Sequence, residues 1–561
     1  MQLAIDWGTS FTKIGYLKEG LLINLVGPDA AVPTAVAYHP DSGLIFDRAA
    51  LRLRDNMFTI SQFKLELKRN PAFVLGSFDM GNLLKAYFNY LNQEYIVPAG
   101  EPIESVTIGV PNYFGLNARR LLLQVLKDCF GTGQVELMTE PAAAIIGYNL
   151  ANPNPLKGEI LSLDIGGGTC DFSFLSTGPD GYTVESQFQT GHDSFSGNEI
   201  DRAIVYNILW PEFVMQTGFS PVHFPLTGTM SPLQVFQYNR MLQSTRSIKL
   251  ELGQQKEVYI HLPDFYASQA LQMMLDQATF LARTRNVFDS LRAFIDTSVR
   301  SRAQALGLMN GNEWDIDGIL LVGGASFTPG VNELLHRAFP RVPLILPEER
   351  SFNVLKGLAA RGADRSRTCT LKTIYPFTFY IERFDAARQT SLLEKIPFDL
   401  QNLKIEMNQK YPLFTLERDT PFNLSPDPDY LNIRIYEGDA ETVNLPERFS
   451  GRDLVLQVHA PKSALPEQMV VYLDLARAQL ELIGRHIPDP NSAARDFENL
   501  LPAQRAWFNQ LFRLNPNPSL MKDYRQHLES LQQNELPPFS GHDKSTLYKL
   551  YAMIDIFQNR K

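Results

Sequence analysis

Asp164-Ile165-Gly166-Gly167-Gly168-Thr169-Cys170-Asp171 is the stretch on which the fold turns. Ahead of it, Ile160–Leu163 is a short apolar run ending at Asp164, as buried strands often do. A carboxylate therefore stands at a strand end, followed by glycines and a hydroxyl at a tight turn. Those residue types suit a phosphate–metal site. The Asp holds Mg²⁺ through water, the glycines let backbone N–H groups approach phosphate oxygens, and the Thr adds a donor. Asp and Gly are also common in ordinary hairpin turns, so one copy decides little. A second copy, Asp6-Trp7-Gly8-Thr9-Ser10, follows the β-rich Leu3–Ile5 and precedes Lys13–Leu17. Two copies, each flanked by strands, point to phosphate binding.

Two common phosphate motifs are excluded. No Gly-x-x-x-x-Gly-Lys-Ser/Thr accompanies the first turn, so it is not a P-loop. Its glycines lead toward a strand rather than opening a helix, so it is not a dinucleotide-binding fingerprint. A third glycine pair, Gly323-Gly324, follows the apolar run Gly318–Val322 and precedes a helix-like stretch from Asn332 to Phe339. Such a unit would set backbone against a nucleoside, or simply pack a helix.

Outward from these motifs, the chain is long and ordinary in composition. Its 561 residues predict about three to five domains. The charged fraction of 20% and hydrophobic fraction of 44% argue against a mainly disordered chain. The net charge of −9 gives no support for a broad nucleic-acid surface. Three widely spaced cysteines, Cys129, Cys170 and Cys369, support neither a disulfide framework nor a zinc site and fit a reducing compartment. The start, Met1–Asp6, has no signal-peptide pattern, and no apolar run is long enough for a membrane span. The expectation is a soluble, multi-domain, cytoplasmic protein.

Pattern divides the chain in three. To about residue 365, short strand-like runs such as Val36–Tyr38 and Val106–Val110 alternate with helical stretches such as Asn117–Phe130, which predicts an α/β architecture. Beyond it, Phe377–Ile381, Leu431–Ile435, Leu454–Val458 and Val470–Leu475 alternate with period two between Pro-rich turns, which predicts an antiparallel β domain. In the last part, Phe497, Leu500, Leu501, Trp507, Phe508, Leu511 and Phe512 open a set of helical stripes. The expected boundaries are 1–365, a linker at 366–374, a β-rich domain at 375–485 and a short helical cap at 486–561.

The three glycine segments, in this order, resemble the actin-like ATPase superfamily. Further stretches are similar to its seventy-kilodalton heat-shock (DnaK-like) chaperones. Thr107–Phe114 followed by Arg119 resembles the family's "VPAYF…QR", and Thr139-Glu140-Pro141-Ala142-Ala143-Ala144 resembles "NEPTAAA". Gly191–Asp201 is similar to the "GGEDFD" region, Lys249–Leu252 to "KIELS", and Lys64 to the lysine of "AIKRLIGR". This resemblance covers residues 1 to about 365 in register. More loosely, Tyr375–Glu382 resembles "TPLSLGIE" and Ile433–Gly438 resembles "IHVLQGE", at the peptide-binding domain.

The resemblance implies a two-lobed actin-like ATPase with ribonuclease H-like halves, then a β-sandwich-like peptide-binding domain and a short α-helical tail. It implies ATP/ADP with Mg²⁺ as cofactors. Asp6 and Asp164 would hold hydrated Mg²⁺. Gly8, Thr9, Ser10, Gly166, Gly167, Gly168, Thr169 and Gly197 would line the phosphates. Lys64 would put positive charge on the γ-phosphate, and Glu140, with Asp171 as second candidate, would orient the attacking water. Gly323, Gly324, Lys249, Ser326 and Phe327 would hold the nucleoside, and Pro111 and Arg119 match positions that transmit nucleotide state.

The chain also departs from the family. Phe327 replaces the arginine of "GGxTR", and Arg246 replaces the glutamate three residues before Lys249; the expectation is an apolar base slot of Leu250 and a stacking Phe327. Glu136 reverses an arginine used to grip J-domain co-chaperones, which puts that partner in doubt. Cys369-Thr370-Leu371-Lys372 replaces an apolar linker. The leading expectation is a slow ATPase that controls binding of extended client peptide, with no nucleic acid and no membrane span. The alternative is a regulatory or scaffold protein whose ATP site is a structural switch for one dedicated partner.

Overall fold

The computed structural model describes residues 1–28, 30–52, 59–60, 63–69, 73–178, 183–192, 194–219, 232–363, 370–385, 390–396, 405–406, 409–439 and 454–485. The expected helical cap at 486–561 and residues 366–369 of the expected linker, with Cys369, lie outside the described residues. Two compact units result. The first comprises Met1–Pro376 with Leu400–Glu406, and the second begins at Phe377.

The first unit contains two sheets built to one plan. In one, Gln2–Trp7 lies between Ser105–Val110, which is parallel to it, and Phe11–Lys18, which is antiparallel. Val135–Thr139 and Leu21–Asn24 extend the two sides. In the other, Gly158–Ile165 lies between the parallel Gly318–Val322 and the antiparallel Cys170–Thr177, with Leu344–Ile345 and Val184–His192 beyond. Both glycine signatures are thus the turn between a central strand and its antiparallel neighbour. The central strands read as short apolar runs because both faces are covered: Leu3, Ile5, Leu161 and Leu163 are fully buried.

A helix pair joins the sheets. Ala143, Ile145 and Ile146 of Glu140–Ala151 and Val354, Leu355 and Leu358 of Asn353–Ala363 share one apolar core with Ala4 and Met138 of the first sheet and Ile160 and Leu320 of the second. The helices cross through glycine. A Cβ on Gly357 would stand 1.8 Å from the Ala143 carbonyl oxygen, and one on Gly147 would stand 2.0 Å from that of Asn353. Because Glu140 opens the first helix, this crossing sets its position.

The edge of the second sheet differs from expectation. Leu371–Thr373, expected in a linker, pairs with Val184–His192 on one side and with Ile405–Glu406, the edge strand, on the other. The second unit contains a four-stranded antiparallel sheet of Thr390–Lys395, Phe377–Asp385, Tyr430–Asp439 and Leu454–Pro461, and a three-stranded one of Lys410–Glu417, Gln468–Asp474 and Gln479–Arg485. Alternation puts Leu431, Ile433 and Ile435 inside, all fully buried, as the period-two pattern predicts.

Candidate functional site

The two signature turns meet in a cleft of about 560 Å³. Their closeness demands glycine: a Cβ on Gly167 would lie 1.9 Å from Ser10 Oγ. Gly8 folds its turn by donating its N–H to the Phe11 carbonyl at 3.0 Å. Gly197 and Asn198 donate their N–H groups to the carbonyls of Gly166 and Gly167 at 2.9 and 2.8 Å, which ties the next helix onto the second turn. Ser196 caps that helix by accepting from Glu199 N–H. Gly168 is buried behind the turn and is not part of the cleft wall.

Strand register decides the charges. Asp6 pairs with Lys13 across the first hairpin, and Asp164 pairs with Asp171 across the second. Lys13 Nζ donates to Asp6 Oδ2 at 2.7 Å. Thr169 Oγ1 donates to Asp171 Oδ2 at 2.6 Å. Lys64 is buried rather than solvated. Its neighbour Phe63 packs into an aromatic cluster, 5.9 Å from Trp7 and 4.9 Å from Tyr87 between ring centroids. Lys64 Nζ donates to the Trp7 carbonyl and, at 2.7 Å, to Glu140 Oε1. The two turns, the carboxylates and the Lys64–Glu140 pair thus share one space.

Asp164 is the electrostatic centre. Desolvation, then the charges of Glu140, Asp171 and Asp6, push its carboxyl up to about 8, with Lys13 opposing them. The native state keeps this proton until about pH 8, whereas an unfolded Asp releases it near about 3.9. Its contribution to stability is complete below the lower value and is lost as pH rises through the upper one. Asp164→Asn therefore flattens the slope. Calorimetry in EDTA should give a melting temperature only slightly higher near pH 5 and one a few degrees higher near pH 8.5. A variant melting below the parent at the higher pH would contradict this.

The other end of the cleft is assembled from distant segments. Lys249 Nζ donates to the Gly197 carbonyl at 2.9 Å and pairs with Asp201 Oδ1 at 2.8 Å. Gly323, at φ +88°, leaves no room for a side chain: its Cβ would lie 2.2 Å from Asp164 Oδ1. Gly324, Phe327 and Leu250 line the cleft. The ring of Phe327 carries the guanidinium of Arg350 at 4.4 Å, so one of its faces is already used. Ser326 does not reach the cleft wall; its hydroxyl donates to the Gly323 carbonyl at 2.6 Å and closes the turn. Arg246 has a partner the sequence did not reveal. It lies 3.8 Å from the Phe11 ring centroid, and burial lowers its pKa. Lys13 and Arg350 were both missed, and Arg246 was read only as a departure from the family. Only the first had a usable signal, since a hairpin through Gly8 sets Lys13 opposite Asp6.

Outside the cleft, Pro111 and Arg119 are both buried, and Arg119 Nε donates to the Phe114 carbonyl at 2.7 Å. Glu136 is not a bare surface charge. Arg361 Nε donates to it at 2.9 Å, so repulsion of an acidic partner is weaker than the charge reversal suggests.

The oxygen donors of Asp6, Asp164 and Asp171 fit a hard divalent cation, and the Gly167–Ser10 and Gly323 approaches fit a phosphate drawn close to backbone. Among the described residues, no cluster of three or more ligating side chains is close enough to bind a metal directly. Comparison with known proteins agrees with this chemistry. The family model described as "Hsp70 protein" matches residues 83–354. The chaperone protein DnaK of Elusimicrobium minutum is 26% identical over 344 residues, 59% of this chain and 52% of that protein. DnaK of Thermosipho melanesiensis is 25% identical over 406 residues, 68% and 63%, and DnaK of Thermotoga neapolitana is 25% identical over 467 residues, 78% and 70%. Over these residues the chain is similar to the Hsp70 family. The match covers only about half of the first of these relatives. The Hsp70 match spans Glu140, the second signature turn and Gly323-Gly324, while Asp6, Lys13 and Lys64 lie ahead of it. No described helix is long and apolar enough to cross a membrane.

Proposed function

We propose that the chain binds ATP and ADP with Mg²⁺ in this cleft and hydrolyses ATP slowly. Nucleotide state would then control the hold of a β domain on extended segments of client proteins, as in an ATP-dependent chaperone. The observation that carries the proposal is the meeting of the two signature turns at Gly167 and Ser10, with Lys64 and Glu140 paired in the same space. Backbone N–H groups of the turns hold phosphate oxygens, aided by Thr9, Ser10 and Thr169. Asp6, Asp164 and Asp171 hold the hydrated cation, which supplies charge neutralisation to the phosphates when bound. Lys64 stabilises charge on the terminal phosphate, and Glu140 orients the attacking water. Phe327 with Arg350, and Leu250, frame the base.

The proposed layout is an ATPase of about 1–365, a linker at 366–374 whose Leu371–Thr373 pairs into the second sheet, a β-sandwich-like peptide domain at 375–485 and a helical cap at 486–561. Pro111 and Arg119 would carry nucleotide state between domains. A cytoplasmic site of action accords with the free thiols of Cys129 and Cys170. The Glu136–Arg361 ion pair stands where family members grip J-domain partners. It favours a second reading, an ATP-switched scaffold for one dedicated protein. Fluorescent extended peptides, titrated with ADP and then ATP, separate the two. Binding in ADP and release on ATP support the chaperone. No peptide affinity in either state overturns it and leaves the scaffold.

A further inference from the structure

We infer that Lys13 is a built-in cation of the nucleotide site: its ammonium, fixed on Asp6, neutralises that carboxylate and faces the phosphates. A free divalent cation would then rest mainly on Asp164 and Asp171, with Asp6 contributing less. This rests on the reading of the cleft as a nucleotide site.

The two hairpins are built alike but charged differently. Positions one turn apart, Asp6 and Lys13, make a neutral pair; the corresponding Asp164 and Asp171 are both acidic. Lys13 stands on a strand, so its stem is held by the sheet. Its ammonium lies 2.7 Å from Asp6 Oδ2 and 5.7 Å from the centre of the Phe352 ring, and its side chain is 15% exposed. It lines the cleft and is close enough to Asp164 to favour its ionised form. Around the two turns, the carboxyl groups of Asp6, Glu140, Asp164 and Asp171 face the ammoniums of Lys13 and Lys64, and Asp164 keeps its proton near neutral pH. Without Lys13, Asp6 would stand without this ammonium, and a nucleotide's phosphates would be repelled more strongly unless a free cation filled the gap. Coulomb attraction at a few ångströms in a half-enclosed cleft is enough to change affinity by an order of magnitude.

The consequence is nucleotide binding that depends weakly on divalent metal. Equilibrium binding of a fluorescent ADP analogue to the full chain, in Mg²⁺ and in EDTA, reads it directly, without turnover. The wild type is expected to lose less than about tenfold in affinity on removal of Mg²⁺. Lys13→Gln is expected to lose about a hundredfold, and Lys13→Arg to behave like the wild type. If the wild type loses about a hundredfold in EDTA, or if Lys13→Gln keeps the wild-type ratio, the inference is overturned while the nucleotide site stands. If the wild type binds no nucleotide even in Mg²⁺, the site reading falls and takes the inference with it. Should Lys13→Gln not fold, the wild-type ratio with Lys13→Arg still decides.

Discussion

Lys64→Ala lowers single-turnover ATP hydrolysis by about two to three orders of magnitude while nucleotide affinity changes by less than about tenfold. The expectation follows from where the ammonium sits. It is nearly inaccessible, anchored by Phe63 in the aromatic cluster and 2.7 Å from Glu140, so it is preorganised before any charge develops on a phosphate. A preorganised donor in a partly dry cleft stabilises the transition state far more than the ground state, which is why hydrolysis suffers more than binding. Removing it also leaves Glu140 without this partner, so the variant needs a folding check by thermal melting. Glu140→Gln should lower the same rate and keep affinity. Unaltered hydrolysis in Lys64→Ala would remove Lys64 from the chemistry and return it to a structural ion pair.

Gly357→Ala should cost about 1–3 kcal/mol of stability, read as a lower urea midpoint. The new methyl would stand 1.8 Å from a backbone oxygen and 2.6 Å from a backbone carbon of Ala143, and backbone cannot swing aside as a side-chain tip can. The same helix offers its own control. A Cβ on Gly362 would meet Thr107 Oγ1 at 3.4 Å, an ordinary contact. Gly362→Ala should therefore be neutral or stabilising, since Ala is the better helix former by up to about 1 kcal/mol. Equal effects from the two substitutions would mean that the helix crossing is not the constraint. ATP hydrolysis should slow with Gly357→Ala as well, because the crossing positions Glu140.

Much of the site was legible in sequence because its parts are local. A carboxylate, glycines and a hydroxyl within one turn advertise phosphate chemistry without any knowledge of the rest. The short apolar runs around them disclosed buried strands, because a strand covered on both faces has no polar side to show. Other features were misjudged for lack of partners. Lys64, beside Lys68 and Arg69, looks like a solvated helix lysine until Phe63 is seen drawing it inward. Glu136 looks like a free charge until Arg361 reaches it across the sheet. Ser326 looks like a ligand group until its hydroxyl turns to Gly323. Leu371–Thr373 looks like a tether until Val184–His192 offers an open edge.

By itself the sequence determined the chemistry of each turn, the alternation of strand and helix, and resemblance to a family of nucleotide-driven proteins. Those properties are carried by residues adjacent in the chain or repeating at strand and helix periods. Only the tertiary structure decided which charges are paired. Lys64 on Glu140, Arg350 on Phe327, Arg246 on Phe11 and Arg361 on Glu136 are encounters between segments far apart in sequence. Their energies depend on distance and dielectric, which no local pattern records. Whether an acidic residue is a metal ligand, a relay or one half of an ion pair is therefore set by the fold that surrounds it.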